Sequence, residues 1–177
     1  METAIFGGGC FWCLEAVFMR IRGVELVISG YCGGHVVDPE YAAVCRGTTG
    51  HAEVVRVSFD PAEVEYSALL DVFFAVHDPT TLNRQGNDVG TQYRSVIFAQ
   101  SSEQWDLADE AIRSQQDRWS APVVTELRLA EAFYPAEVEH QGYFENHATQ
   151  PYCAYVVAPK VTKAGEKFSA LLKPEFR

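Results

Sequence analysis

A short apolar run, Thr3-Ala4-Ile5-Phe6, opens the pattern, and three glycines, Gly7 to Gly9, cut it off. Beyond them apolar residues recur at 11, 14, 17, 18 and 21, the spacing of one helix face, and Gly23 ends the stripe. A strand followed by a helix is therefore predicted. Residues 24–31 and 52–59 (AEVVRVSF) are β-branched runs that read as strands, the second closed by Asp60-Pro61. Helical spacing returns over 66–77, a strand follows over 93–99, a helix with a Ser-x-Glu start over 101–119, and a strand over 123–130. A short helix is predicted over 137–147 and an irregular tail from about residue 150. The first six elements run β-α-β-β-α-β, the order of the split βαβ, ferredoxin-like unit. The expected fold is α/β (α+β): a two-layer sandwich on that core, with an extra helix and strand and an irregular C-terminal tail. With no repeat, low-complexity run or linker, one catalytic domain over 1–177 is expected.

Two Gly-rich connections, 32–50 and 78–92, are longer than a compact domain needs, which points to functional loops. The 177 residues, 47% apolar, suffice for one sizeable core. Charge narrows the partners: 14 basic against 24 acidic residues give a net −10. Nucleic acid and anionic membranes both demand clustered Lys and Arg, so neither is expected as a partner. No stretch has the length and apolarity to cross a bilayer. METAIFGGGCFW lacks a basic n-region and a long apolar h-region, so no secretory signal is expected, and a cytoplasmic location follows. Cysteine usage agrees. Five cysteines, at 10, 13, 32, 45 and 153, form no even set for a disulfide framework and read as reduced thiols.

The chemistry is concentrated in GGGCFWCLEAVF, residues 7–18. If the helix begins near Phe11, Cys10 lies at its N-terminus, facing unpaired backbone N–H groups and the positive end of the helix dipole. That position is expected to lower the thiol pKa and favour the nucleophilic thiolate. Phe11 and Trp12 follow at once, and two aromatic rings beside a thiol make a pocket for a small apolar group such as a methyl. The bland alternative is an inert buried cysteine among core aromatics. Cys13 adds weight to the first reading, because helical residues three apart are neighbours and a Cys-x-x-Cys pair at a helix start is a redox arrangement.

The segments GGGCFWCLEAVF, GYCGG (30–34), TTGHAEVVRVSFDP (48–61), HDPTTLNRQGNDVGTQYRS (77–95) and FYPAEVEHQGYF (133–144) together resemble the peptide methionine sulfoxide reductase A family. The resemblance runs from about Ala4 to about Lys160. It implies that Cys10 is the nucleophile that attacks the sulfoxide sulfur, and that Phe11 and Trp12 hold the substrate's S-methyl group. It further implies that Glu53 is the acid and that Tyr41, Asp88 and Tyr93 are polar residues of the substrate site. The implied activity is reduction of methionine-S-sulfoxide, free or within oxidised proteins, through a sulfenic acid and then a disulfide. Thioredoxin or another dithiol is the implied external reductant; no bound cofactor, no metal and a monomer are expected. Where most members have glycine this chain has Cys13, and Cys153 sits near the place of a C-terminal resolving cysteine in other members. Both are candidates to resolve the sulfenic acid, with Cys13 favoured on proximity.

Two other classes share some of these residues. Cys10-x-x-Cys13 followed by Cys32-x-x-His35 has the spacing of a structural zinc site, against which stands the apolar helix that holds the first pair. A general thiol–disulfide oxidoreductase would use Cys10 and Cys13 but has no use for the tryptophan, the acid and the two tyrosines.

Overall fold

The computed structural model describes all 177 residues. In chain order the elements are β1 (Glu2–Gly7), α1 (Phe11–Phe18), β2 (Val24–Cys32), α2 (Tyr41–Cys45), β3 (Ala52–Phe59) and α3 (Tyr66–Ala75). Then come β4 (Arg84–Gln85), β5 (Asp88–Val89), β6 (Val96–Ala99), α4 (Ser102–Gln115), β7 (Glu126–Leu129), β8 (Phe133–Pro135), α5 (Tyr143–Asn146) and α6 (Ala158–Lys167). Six strands form one sheet in the order β7-β6-β1-β3-β2-β8, and β4 pairs with β5 in a separate small hairpin. Its middle, β6-β1-β3-β2, is antiparallel throughout, with β3 inserted between the two strands that α1 connects. This is the ferredoxin-like core. β7 adds in parallel to β6, and β8 adds antiparallel to β2.

Strand alternation assigns the faces. On β1, Ala4 and Phe6 join the large core under the helices, while Ile5 points to a smaller cluster on the other face. On β3, Val55, Val57 and Phe59 face the helices, and Val54 and Ala52 face away. The period of two therefore places Glu53 on the helix face, beside the start of α1. Phe6 is fully buried at the centre, stacked on Phe18, Tyr66 and Phe73 at centroid distances of 5.4, 5.9 and 5.0 Å. Phe6→Leu is expected to cost about 1–2 kcal/mol, read as a lower denaturation midpoint with an unchanged slope.

Four elements differ from the sequence reading. Residues from 150 onward are not irregular: a helix begins at Pro151, passes through one π turn over Cys153–Val157 and continues as α6. Cys153, Val157 and Ala164 are buried in the main core, so an apolar stripe was present, but Pro159 and Gly165 obscured it. The 3-10 turns beyond α6 are pinned by backbone bonds from Arg22 N–H to Leu171 O (2.7 Å) and from Lys173 N–H to Arg20 O (2.8 Å). The loop 32–50 contains α2, and Phe133–Pro135 forms the edge strand β8, neither of which the pattern signalled. The helix expected over 137–147 is split into a 3-10 turn, Val138–His140, and the short α5.

Candidate active site

The turn from β1 into α1 sets the site. Gly9 has φ +92°, and a Cβ there would lie 2.7 Å from Cγ of Gln85, so both the dihedral and the space call for glycine. Cys10 is extended (φ −67°, ψ 129°) and caps α1, whose first turn closes with Cys13 N–H donating to Cys10 O at 3.1 Å. The next free amide of the helix, Phe11 N–H, donates to Oε1 of Glu53 at 3.1 Å. A strand carboxyl thus satisfies a helix end, which is why β3 and α1 meet at this point. Glu53 is 1% exposed, and its Oε2 has no hydrogen-bond partner. Burial pushes its pKa from 4.5 up to about 8; the Phe11 amide pulls it down and Asp88 adds a further push up. Glu53 accordingly carries a proton at neutral pH, with one oxygen uncommitted.

Cys10 is 8% exposed. The expected low thiol pKa is corrected here: burial first, then the charges of Glu53 and Cys13, push the thiol well above its ordinary 9.0. The amide of Trp12 and the hydroxyl of Tyr152 pull the other way but are outweighed. An α1 of eight residues offers a small dipole, and loss of water around a sulfur costs the anion more than that dipole returns. Cys10 rests as a thiol.

Tyr41, on α2, and Tyr93, on the 3-10 turn before β6, both lie in the field of Glu53. Burial is the main cause that raises both phenols, so each keeps its proton and can donate it to an oxygen. Asp88, on β5, accepts from Tyr152 Oη at 2.6 Å. Trp12 is the one half-buried residue of α1. Its ring stacks on Tyr143 at 3.7 Å, meets Tyr152 edge-on at 5.8 Å, and donates from Nε1 to Nδ1 of His140 at 3.3 Å. His140 in turn lies 4.2 Å from the Tyr41 ring, centroid to centroid. Phe11 is fully buried between Tyr31 and Tyr41, so Trp12 is the ring that faces outward.

The structure therefore brings together Cys10, Phe11, Trp12, Tyr41, Glu53, Asp88 and Tyr93. Cys13 lies one turn beyond Cys10, buried, its thiol raised to about 11, chiefly by burial, with Lys160 as the nearest opposing influence. Cys153 is buried against α1 in the same core and is felt by Cys13. Cys32 lies elsewhere, in the cluster on the opposite sheet face, so Cys10-x-x-Cys13 and Cys32-x-x-His35 do not converge. Sequence reasoning assigned no site role to four contributors: Tyr152 and Tyr143, His140, which it left as a pocket or core group, and Cys45, which it read as structural. Cys45 stands on α2 one helical turn from Tyr41, next to its hydroxyl. Tyr152 directly precedes a cysteine in QPYC, the only signal it carried.

The family model described as "Peptide methionine sulfoxide reductase" matches residues 2–171. A relative from Ralstonia nicotianae, "Peptide methionine sulfoxide reductase MsrA", is 56% identical over 179 residues, covering 98% of this chain and 94% of its own. Among solved structures, Mxr1 from Saccharomyces cerevisiae in reduced form is similar with a TM-score of 0.79 and 33% identity, over 86% of this chain and 88% of that one. The same yeast protein in complex with Trx2 is similar with a TM-score of 0.55 and 26% identity, over 80% and 84% of the two chains.

Proposed function

The chain belongs to the peptide methionine sulfoxide reductase family, and we propose that the residues gathered around Cys10 and Glu53 perform that family's chemistry here. The protein reduces methionine sulfoxide to methionine by cysteine chemistry coupled to thioredoxin. The observation that carries the assignment of roles is the buried Glu53 carboxyl, protonated at neutral pH, with one oxygen free beside the Cys10 thiol.

In this reading the substrate's S-methyl group lies on Trp12, with Phe11 buried behind it as support rather than as a contact, and the sulfoxide oxygen points at Glu53, Tyr41 and Tyr93. Cys10 gives up its proton as its sulfur bonds to the sulfoxide sulfur, and Glu53 protonates the oxygen as the S–O bond breaks. The hydroxyl passes from the substrate sulfur to the Cys10 sulfur as the bond between the two sulfurs breaks, its electron pair staying on the substrate. Methionine leaves and Cys10 is left as a sulfenic acid, two electrons having passed from Cys10 to the substrate sulfur. Asp88 accepts from the Tyr152 hydroxyl and so holds it beside Cys10 and Cys13. Glu53 then recovers its proton from the one Cys10 released, so the step consumes no net acid.

Cys13 supplies the second thiol. It lies one helical turn from Cys10 and is among the charges that raise the Cys10 thiol, whereas Cys153 comes in from the separate helical run beyond Pro151 and packs against Cys13. The extended ψ of Cys10 also relaxes the pair away from strict helical geometry, which eases a disulfide. Condensation of the Cys13 thiol with the sulfenic acid releases water, and a thioredoxin dithiol restores both thiols. No helix is long and apolar enough to cross a membrane, and the enzyme is read as a cytoplasmic monomer with no bound cofactor.

The test offers the two sulfoxide epimers separately and maps the disulfide after one turnover by mass. Methionine should form from the S epimer alone. Cys13→Ser should release one methionine per chain and then stall with thioredoxin, while Cys153→Ser keeps turning over. The reverse pattern would make Cys153 the resolving thiol.

A further inference from the structure

All four lysines of the chain fall between residues 160 and 173, and three of them line one cleft. The cleft, about 410 Å³, opens where the ends of α3 and α4 meet α6. Arg118, Lys160, Lys163 and Lys167 surround it, with His77 and Gln85 at its inner wall. The lysine spacing of three and four puts these side chains on one face of α6. The ion pairs of the molecule use Arg20, Arg94, Arg113 and Arg128, so none of the four cleft cations is neutralised. The one acid on the wall, Asp78, is engaged by the amide and hydroxyl of Thr80 at 2.8 and 2.6 Å.

This concentration of positive charge occurs on a chain of net charge −10. Such a chain repels an acidic protein at long range, and an uncompensated basic cleft supplies the local attraction that brings it in at one place. The position of the cleft selects the partner. Gln85 packs against Gly9, immediately before Cys10. Lys160 is the cation nearest in effect to Cys13, and Cys153 lies on the helical run that carries all three lysines. Tyr41 and Tyr93, where the sulfoxide oxygen binds, are not part of its lining. The cleft is therefore on the resolving-thiol side of the centre, the side that a reductant must reach.

We propose that this cleft seats the carboxylate-bearing face of the dithiol protein that reduces the enzyme; the proposal rests on the reductase reading above. Docking presents the partner's thiolate to the Cys10–Cys13 disulfide. A mixed disulfide forms, the partner's second thiol displaces it, and the partner leaves as a disulfide. Its two electrons and two protons remain on Cys10 and Cys13 as thiols.

The experiment compares wild type with Arg118→Gln/Lys163→Gln/Lys167→Gln, using an acidic thioredoxin and, separately, dithiothreitol. At low salt the variant is expected to lose roughly tenfold in kcat/KM for thioredoxin, and the two proteins should converge as salt rises from about 0.02 to 0.5 M. Turnover driven by dithiothreitol should be equal. Equal thioredoxin kinetics at low salt, or a parallel loss with dithiothreitol, would overturn the docking proposal. So would an effect confined to the KM of an acidic sulfoxide peptide, which would assign the cleft to substrate. A wild type that turns over with dithiothreitol and never with thioredoxin would instead remove the reductant reading, and docking with it.

Discussion

Cys10→Ser is expected to abolish methionine sulfoxide reduction, by more than about 10⁴-fold and down to the background of the assay. The size of the effect follows from the role assigned to the sulfur. Cys10 does not only attack; it accepts the oxygen atom and supplies both electrons, and a serine hydroxyl can do neither at an accessible potential. No other thiol is placed to substitute. Cys32 is on the far face of the sheet, and Cys153 is buried behind Cys13. Cys45 is exposed on α2 beside the Tyr41 hydroxyl, and Cys13 is buried inside α1 with its thiol raised to about 11. Serine is nearly isosteric at a position whose backbone carbonyl closes the first turn of α1, so the fold should be retained. The measurement is methionine released per chain in a single turnover with no reductant. Wild type should give about one equivalent and the variant none; a surviving burst would show that another group takes the oxygen.

What the sequence made legible was local or periodic. The Gly run marked where α1 starts and so placed Cys10 at its end, whereas Glu53 was paired with Cys10 only through the family motif around it; a lone glutamate on a strand such as AEVVRVSF reads as solvent-facing. The order of the first six elements sufficed for the ferredoxin-like core. The rest came from contacts distant in sequence. Tyr152, Tyr143 and His140 reach Trp12 over more than 125 residues; the motif FYPAEVEHQGYF marks the segment of His140 and Tyr143 but not the contact. Proline at 159 and glycine at 165 masked a helix that burial of Cys153, Val157 and Ala164 makes stable. The ionisation of Cys10 was misjudged for a related reason. A helix N-terminus can be read from a sequence, whereas the depth of burial that opposes it depends on how α6 and the 140s pack over α1. The same burial that raises Cys10 raises Glu53, and a raised acid is what the proposed reaction calls for.

Glu53→Gln therefore tests the other half of the centre, and it should slow oxygen transfer by roughly 10²–10⁴-fold. The amide oxygen of glutamine can still accept from Phe11 N–H, so the helix end stays satisfied and only the proton donor is removed. A structural loss would look different, and pH separates the two. The wild-type carboxyl, raised to about 8, holds its proton through neutrality and gives it up above that value. Its single-turnover rate should then fall as pH rises past about 8, a limb that the variant lacks. Stability gives a second readout. Below 4.5 the carboxyl is protonated in both folded and unfolded chains; between 4.5 and about 8 the unfolded chain ionises while the fold holds the proton. Stability contributed by this group is thus fully present below pH 4.5 and is lost as pH rises toward 8. Glu53→Gln removes that loss, so denaturant midpoints measured at pH 5 and pH 8 should diverge less in the variant than in the wild type. A slowed enzyme with a flattened stability profile and no alkaline limb would identify Glu53 as the acid. An unchanged rate would leave the sulfoxide oxygen without its proton donor and remove Glu53 from the chemistry.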